Sequence, residues 1–218
     1  MELHYDKFQL LPVQCDPTVR KPDGSVIIPG TRMEYLGTVL TSDVHDAQEV
    51  TRRIAMARRD FLALEVVWKR SALTWKRKLA IFATLVESKL LYSLACIAFT
   101  TAQKRQLDGF QNRCLRRIIG VKPAFVSRVS NAAVMDRCTH TPATDLLQRR
   151  QLQLLGRVLN APEGHPLKTA SFIPGTLTPA TEQYVRRRGR PCIEWVPQAL
   201  SAAIRLAGST RAFIELYS

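Results

Sequence analysis

Residues 52–70, RRIAMARRDFLALEVVWKR, set the reading of this chain. With Val50 just ahead, apolar side chains recur at Ile54, Ala57, Phe61, Leu64 and Trp68. At the helical step these six fall within an arc of about 80°, the single apolar stripe of an amphipathic α-helix. Arg52 and Arg59 project from the opposite side. Two further segments repeat the pattern. Thr74 offers a cap for a second helix whose apolar face is Leu79, Phe82, Val86, Leu90 and Ile97, with Arg77 opposite. Thr101 is the expected cap of a third, with Leu107, Phe110, Cys114 and Ile118 on one stripe, Arg105, Arg113 and Arg116 pointing away, and Gly120 ending it. Each stripe needs a partner, and the short connections favour packing of the three helices on one another.

Charge singles out the same region. From Arg52 to Gly120 there are fifteen Lys and Arg residues against four acids, Asp60, Glu65, Glu87 and Asp108. That net of +11 makes up most of the +14 carried by the whole chain. An ordinary solvated face mixes signs, whereas one this basic repels itself unless an anion covers it. Phosphate-backbone binding therefore outweighs mere solvation as the expected use of the arginine faces.

Elsewhere the composition is that of a globular protein: 218 residues, 46% apolar and 23% charged, with a sequence pI near 10.1. The five cysteines, Cys15, Cys96, Cys114, Cys138 and Cys192, are odd in number, widely spaced and without a CxxC pair. A disulfide scaffold or zinc ribbon is not expected, and a reducing compartment is. Cys96 and Cys114 fall in helical runs, where cysteine commonly acts as a small buried hydrophobe. The N-terminus lacks the basic and apolar regions of a signal peptide. The apolar-leaning run Leu90–Phe99 is too short to span a bilayer. A nuclear or cytoplasmic protein, neither secreted nor membrane-bound, is expected.

Before the basic helices the sequence predicts strands. Phe8–Cys15 is short and apolar. Lys21-Pro22-Asp23-Gly24 is a turn, Ser25–Ile28 a β-branched strand, Pro29-Gly30 another turn, and Met33–Leu40 a third strand. Ser42, Asp43 and Asp46 offer caps for the first helix. After Val121-Lys122-Pro123, Ser127 or Ser130 can cap a short helix to about Cys138. Thr141-Pro142 opens another with Pro at the first helical position, carrying Leu146, Leu147, Leu154, Leu155 and Val158 to about Asn160. Residues 161–185, rich in Pro and Gly, read as an irregular linker. Arg186–Pro191 is a basic knot, and Cys192–Leu206 a last helix interrupted by Pro197.

Few constellations carry chemistry. Trp68 and Trp75 bracket the junction between the first two helices, beside Lys69, Arg70 and Lys76, and could stack on bases. Trp68 lies on the apolar stripe and is expected in the core, whereas Trp75 stays open. Arg188-Gly189-Arg190-Pro191 has the form of a minor-groove hook, though four residues are weak support for one. Cys138, His140 and His165 lack zinc spacing. There is no paired carboxylate to clamp a metal, nucleophile elbow, Walker loop or dinucleotide fingerprint. Lys7 could serve as a proton donor, but stands without partners.

The order of these pieces resembles the C-terminal part of a reverse transcriptase from a non-long-terminal-repeat retrotransposon. Leu3-His4-Tyr5-Asp6-Lys7-Phe8-Gln9-Leu10-Leu11 resembles the late palm motif Leu-Asn-x-x-Lys-Thr, with Lys7 on its lysine, His4 for the Asn and Phe8 for the Thr. Tyr35-Leu36-Gly37 resembles the strand motif near the primer. Arg53-Ile54-Ala55-x-Ala57, Phe61 and Leu64 resemble the opening thumb helix, and Lys78-Leu79 with Leu90-Leu91-Tyr92 the next. Phe110-Gln111-Asn112-Arg113-Cys114-Leu115-Arg116-Arg117-Ile118-Ile119-Gly120 resembles the basic third helix. Arg188-Gly189-Arg190-Pro191 followed by Trp195 also recurs after the thumb in such elements, which weakens the minor-groove reading. The similarity runs over about residues 1–160, with a fainter echo to Trp195.

The resemblance implies an α+β fold, mainly α: a palm strand remnant over 1–44, a basic three-helix thumb over 45–125, and a C-terminal helical region over 126–218. It implies binding of RNA, DNA or their hybrid through Arg52, Arg59, Arg77, Arg105, Arg113, Arg116, Arg117, Arg187, Arg188 and Arg190. Tyr35, Leu36 and Gly37 would hold the primer end, and Lys7 would be a vestigial general acid. The family's metal-binding aspartates lie upstream of the lysine motif, but only six residues precede Lys7 and no Asp-Asp occurs. The magnesium an intact relative needs would have no ligands here. The expectation is a nucleic-acid-binding fragment that does not polymerise alone and whose partners include the upstream polymerase portion, but no membrane. Two other readings remain: a stand-alone basic DNA- or RNA-binding helical module, and a helical domain whose positive face meets acidic protein.

Overall fold

A two-residue turn, Leu36-Gly37, folds what the sequence presents as one strand into a hairpin. In the computed structural model, which describes residues 4, 7–13, 15, 18–42, 47–180 and 194–215, β1 (Arg32–Tyr35) and β2 (Thr38–Thr41) pair antiparallel. Arg32 lies opposite Thr41 and Tyr35 opposite Thr38. Both turn residues have positive φ, 48° at Leu36 and 73° at Gly37, as a type I′ turn demands. The expected single strand over Met33–Leu40 is thus corrected. Alternation of side chains does not see a turn, and Gly37 was its only signal. The other expected strands reduce to isolated bridges, Leu10 with Pro29 and Arg20 with Val26. The turn between the latter forms as read: Gly24 N donates to Lys21 O at 2.9 Å, and Asp23 Oδ1 accepts from Ser25 N at 2.8 Å.

This hairpin belongs to one compact unit, Met1–Glu49, and the helical residues from Val50 onward to a second, Val50–Ser218. The class is α+β, mainly α, as the sequence implies. Expected caps Asp43 and Asp46 lie outside the described residues.

The helical unit follows its apolar stripes. In α1 (Ala47–Ala63) Val50, Ala57 and Phe61 are buried, and after a break at Leu64 the short α2 (Glu65–Lys69) continues the stripe to Trp68. Thr74 caps α3 (Trp75–Ile81). The helix then widens into a π-helical stretch, Phe82–Glu87, and ends in α4 (Ser88–Leu90). A 3₁₀ turn, Leu94–Cys96, leads to α5 (Thr101–Ile118), whose stripe Leu107, Phe110, Cys114 and Ile118 is wholly buried. Each such side chain contributes about 1.5–3 kcal/mol relative to exposure. Gly120, at φ 73°, closes α5, with Val121 N returning to Arg116 O at 2.8 Å.

Beyond α5 come α6 (Ala124–Ser127), α7 (Asn131–Cys138, capped by Ser130) and α8 (Ala143–Leu159). Val134, Cys138, Ala143 and Leu147 join the same core as α1, α3 and α5, so the packing runs without a break past residue 125. A second core joins Leu155, Val158 and Leu159 to Phe172, Ala199 and Phe213. It involves α9 (Pro166–Ser171), α10 (Trp195–Ala207) and α11 (Thr210–Glu215). The irregular backbone of 91–99 is held from both sides. Gln151 Nε2 donates to Ile97 O (2.7 Å), Trp195 Nε1 to Ala95 O (2.6 Å), and the Gln198 amide exchanges two bonds with the Phe99 backbone.

Several expectations are corrected in detail. The cap of α5 is Thr100, not Thr101: it accepts from Gln103 N at 3.2 Å while Gln103 Oε1 accepts from Thr100 N at 2.8 Å. Pro142 is the N-cap of α8 rather than its first helical residue. Within 161–185, the described part holds α9 and the buried Phe172 and Ala180. Pro197 does not interrupt α10, because it lies in the first turn, where no intrahelical N–H bond is lost. Cys96 is exposed, since its segment is a 3₁₀ turn and not a helix. Among the described residues no helix is long and apolar enough to cross a membrane.

Candidate nucleic-acid interface

The fifteen cations of Arg52–Gly120 do not share one fate. Ten are exposed, Arg52 and Lys104 are half-buried, and Arg53, Lys78 and Arg116 are turned inward. Arg116 is 5% exposed, against the expectation that it points to solvent. Its guanidinium donates to Lys122 O (3.2 Å), Ser127 Oγ (3.4 Å), Val129 O (2.7 Å) and Asn131 Oδ1 (2.9 Å). The chain after α5 doubles back over this side of the helix and uses Arg116 as its staple. Arg53, 4% exposed, places its guanidinium 4.6 Å from the Tyr92 ring centroid and donates to Ser93 Oγ at 3.2 Å. Lys78 donates to Trp68 O at 2.7 Å.

The acids turn inward in greater proportion. Glu87, on the π-helical stretch, is buried and accepts from Gln111 Nε2 at 2.6 Å, with His140 Nε2 3.0 Å away. Asp108 accepts from Thr144 N (3.0 Å) and Thr144 Oγ1 (2.8 Å) at the start of α8. Only Asp60 and Glu65 are left among the exposed cations. Lys89 Nζ lies 2.6 Å and Arg59 Nε 3.9 Å from the Asp60 carboxylate. Glu65 binds both Lys69, at 2.9 Å, and Arg117. The hydrogen bond from Lys69, with the charge of Arg117, holds its carboxyl below the ordinary value.

Charges from α1 and α5 act on one thiol. Burial pushes the Cys114 thiol up to about 12, and the guanidiniums of Arg113, Arg117 and Arg58 lie near enough to oppose that shift. Arg58, Arg113 and Arg117 are all exposed. Cations from two helices thus act on one buried residue, and Lys69 and Arg117 share Glu65. Such an arrangement can hold adjacent phosphates and, its cations being arginines, can do so bidentately.

Of the residues expected to bind nucleic acid, Arg113 and Arg117 come together here. Arg59 is exposed beside Asp60. Arg77 is exposed on the first turn of α3, and Arg105 on α5. Arg52 is half-buried, with its guanidinium 3.3 Å from Met56 Sδ. Arg187, Arg188 and Arg190 lie outside the described residues. Arg58 escapes a reading confined to positions opposite the stripe. It sits about 80° from the line through Val50, on the flank of α1, and flanks line the groove between neighbouring helices. In the first unit, Lys7 and Tyr35 are exposed, and Leu36 and Gly37 form the hairpin turn instead of a strand.

No group of three or more His, Cys, Asp or Glu is placed to hold a metal among the described residues. Compared with protein families, curated proteins and solved structures, the chain matches none.

Proposed function

We propose that this chain is the thumb-bearing fragment of a reverse transcriptase of non-long-terminal-repeat retrotransposon type. It binds template-primer nucleic acid through its helical unit and is not catalytic alone. The observation that carries the binding half is the set of Arg58, Arg113 and Arg117, all exposed and all near enough to the Cys114 thiol to act on it, while Glu87 is buried and Asp108 is engaged at the start of α8. Among the residues of 52–120 that are not buried, twelve cations stand against three acids, so the outward side stays strongly positive. The polymerase half rests on the order of motifs from Lys7 to Gly120. In this reading the chain works in the nucleus or cytoplasm, together with an upstream polymerase portion that supplies the metal-binding aspartates.

Two assays test it. Filter binding of RNA, DNA and hybrid duplexes at rising salt should give a log–log slope near −3.5 to −4.5 for about five bound phosphates. Failure to retain any nucleic acid at low salt refutes the binding half and favours an acidic protein partner. Primer extension with magnesium should give no product, and incorporation by the isolated chain overturns the assignment as an inactive fragment.

A further inference from the structure

The connection between α2 and α3 presents an indole to solvent from a firmly anchored base. Trp68, at its start, is 4% exposed, stacks on Phe61 with centroids 5.0 Å apart, and donates from Nε1 to Phe61 O at 2.7 Å. Lys78, on α3, reaches back with its buried ammonium to Trp68 O at 2.7 Å. Thr74 caps α3 in between. Both ends of the connection are thus tied to the core, and Trp75 is held at 41% exposure. The other two tryptophans are committed inside, since Trp195 is half-buried with its Nε1 on Ala95 O. Around Trp75 the segment 70–77 carries Arg70, Lys76 and Arg77, all exposed, and no acid. The Lys76 ammonium stands 5.8 Å from the indole centroid.

An exposed indole in a run with three cations matches one kind of ligand surface: a flat π-face flanked by phosphates. A continuous duplex does not offer that face, because its bases are stacked on one another and show only their edges. An unpaired base offers it. We propose that Trp75 is a stacking platform for an unpaired base of single-stranded nucleic acid, with Arg70, Lys76 and Arg77 on the flanking phosphates. This rests on the nucleic-acid reading and adds the strandedness of what is held.

The test uses the full chain with a 20-nucleotide oligothymidine and with a relaxed, covalently closed circular duplex, which has neither ends nor loops. Oligothymidine should quench part of the tryptophan emission, and the circle should not. Trp75→Leu should abolish the quench and weaken oligothymidine binding by about 5- to 100-fold. Its affinity for the circle should stay within twofold, and Trp75→Phe should restore most of the single-strand binding. Unchanged oligothymidine affinity in Trp75→Leu overturns the proposal, as does an equal loss for both ligands with the circular dichroism of the wild type. Should Trp75→Leu fail to fold, Trp75→Phe and the wild-type quench decide: full quenching by the circle refutes single-strand stacking. If the wild type binds neither ligand, the nucleic-acid reading itself fails.

Discussion

Neighbouring arginines on α5 are set to opposite tasks by what covers them. Arg116 is buried with four oxygen partners, whereas Arg113 is exposed beside Arg58 and Arg117. Truncating a buried charged donor leaves several acceptors unpaired. Arg116→Gln should therefore lower stability by about 2–4 kcal/mol, seen as a fall in the urea midpoint. Arg113→Gln should leave that midpoint nearly unchanged and weaken nucleic-acid binding. Cys114 supplies a second contrast. With its thiol pushed up to about 12 by burial, it should stay unlabelled by iodoacetamide at pH 8 in the folded protein, while exposed Cys96 is alkylated. Peptide mass spectrometry before and after denaturation checks this. The unfolded thiol releases its proton near 9.0 and the folded one only near 12, so this residue's contribution to stability is complete below about pH 9 and declines as pH rises from there. The sequence placed Cys114 correctly because its apolar stripe is regular. It misplaced Arg116 because the covering segment 122–131 has no periodic pattern that announces where it folds back.

At the level of elements, caps and stripes were the legible features. Thr74 and Gly120 act as the sequence predicts, Ser130 is the one of the two expected serines that caps α7, and Trp68 packs in the core. Where competing choices stood side by side, local chemistry could not decide. Thr100 and Thr101 are equal as residue types, and Gln103 selects Thr100 only through the reciprocal bond of a capping box. The hairpin was hidden for a different reason: Leu36 at φ 48° accepts a conformation that β-turn statistics reserve for Gly, Asn or Asp. Helix α8 shows a cap that no local reading could find. Its own N-cap is Pro142, without a side-chain bond, and Asp108 of α5 accepts from Thr144 N and Oγ1 in its place. Asp108→Ala should cost about 1–2 kcal/mol, as loss of an ordinary cap does, with the deficit measurable by chemical denaturation.

On the scale of the molecule, the fold class was readable and the division of the chain was less so. Helical stripes over 50–160 required a mainly helical unit, and the turns before Leu40 required a small β part. The continuity of the first core from Val50 to Leu147 could not be seen, because a stripe reveals that a face is buried but not against what. The same limit applies to the candidate site. Charge density pointed to α1 and α5, yet only the folded structure brings Arg58 of α1 within reach of the thiol that Arg113 and Arg117 flank on α5. The central claim is that this three-arginine cluster grips a polyanionic backbone. Its most direct test is filter binding of an RNA–DNA hybrid at several salt concentrations, comparing the wild type with Arg58→Gln/Arg113→Gln/Arg117→Gln. The account predicts weaker binding at low salt and a log–log slope shallower by about 2–3, roughly one unit for each phosphate that is no longer neutralised. A variant that keeps both the affinity and the slope of the wild type would contradict it.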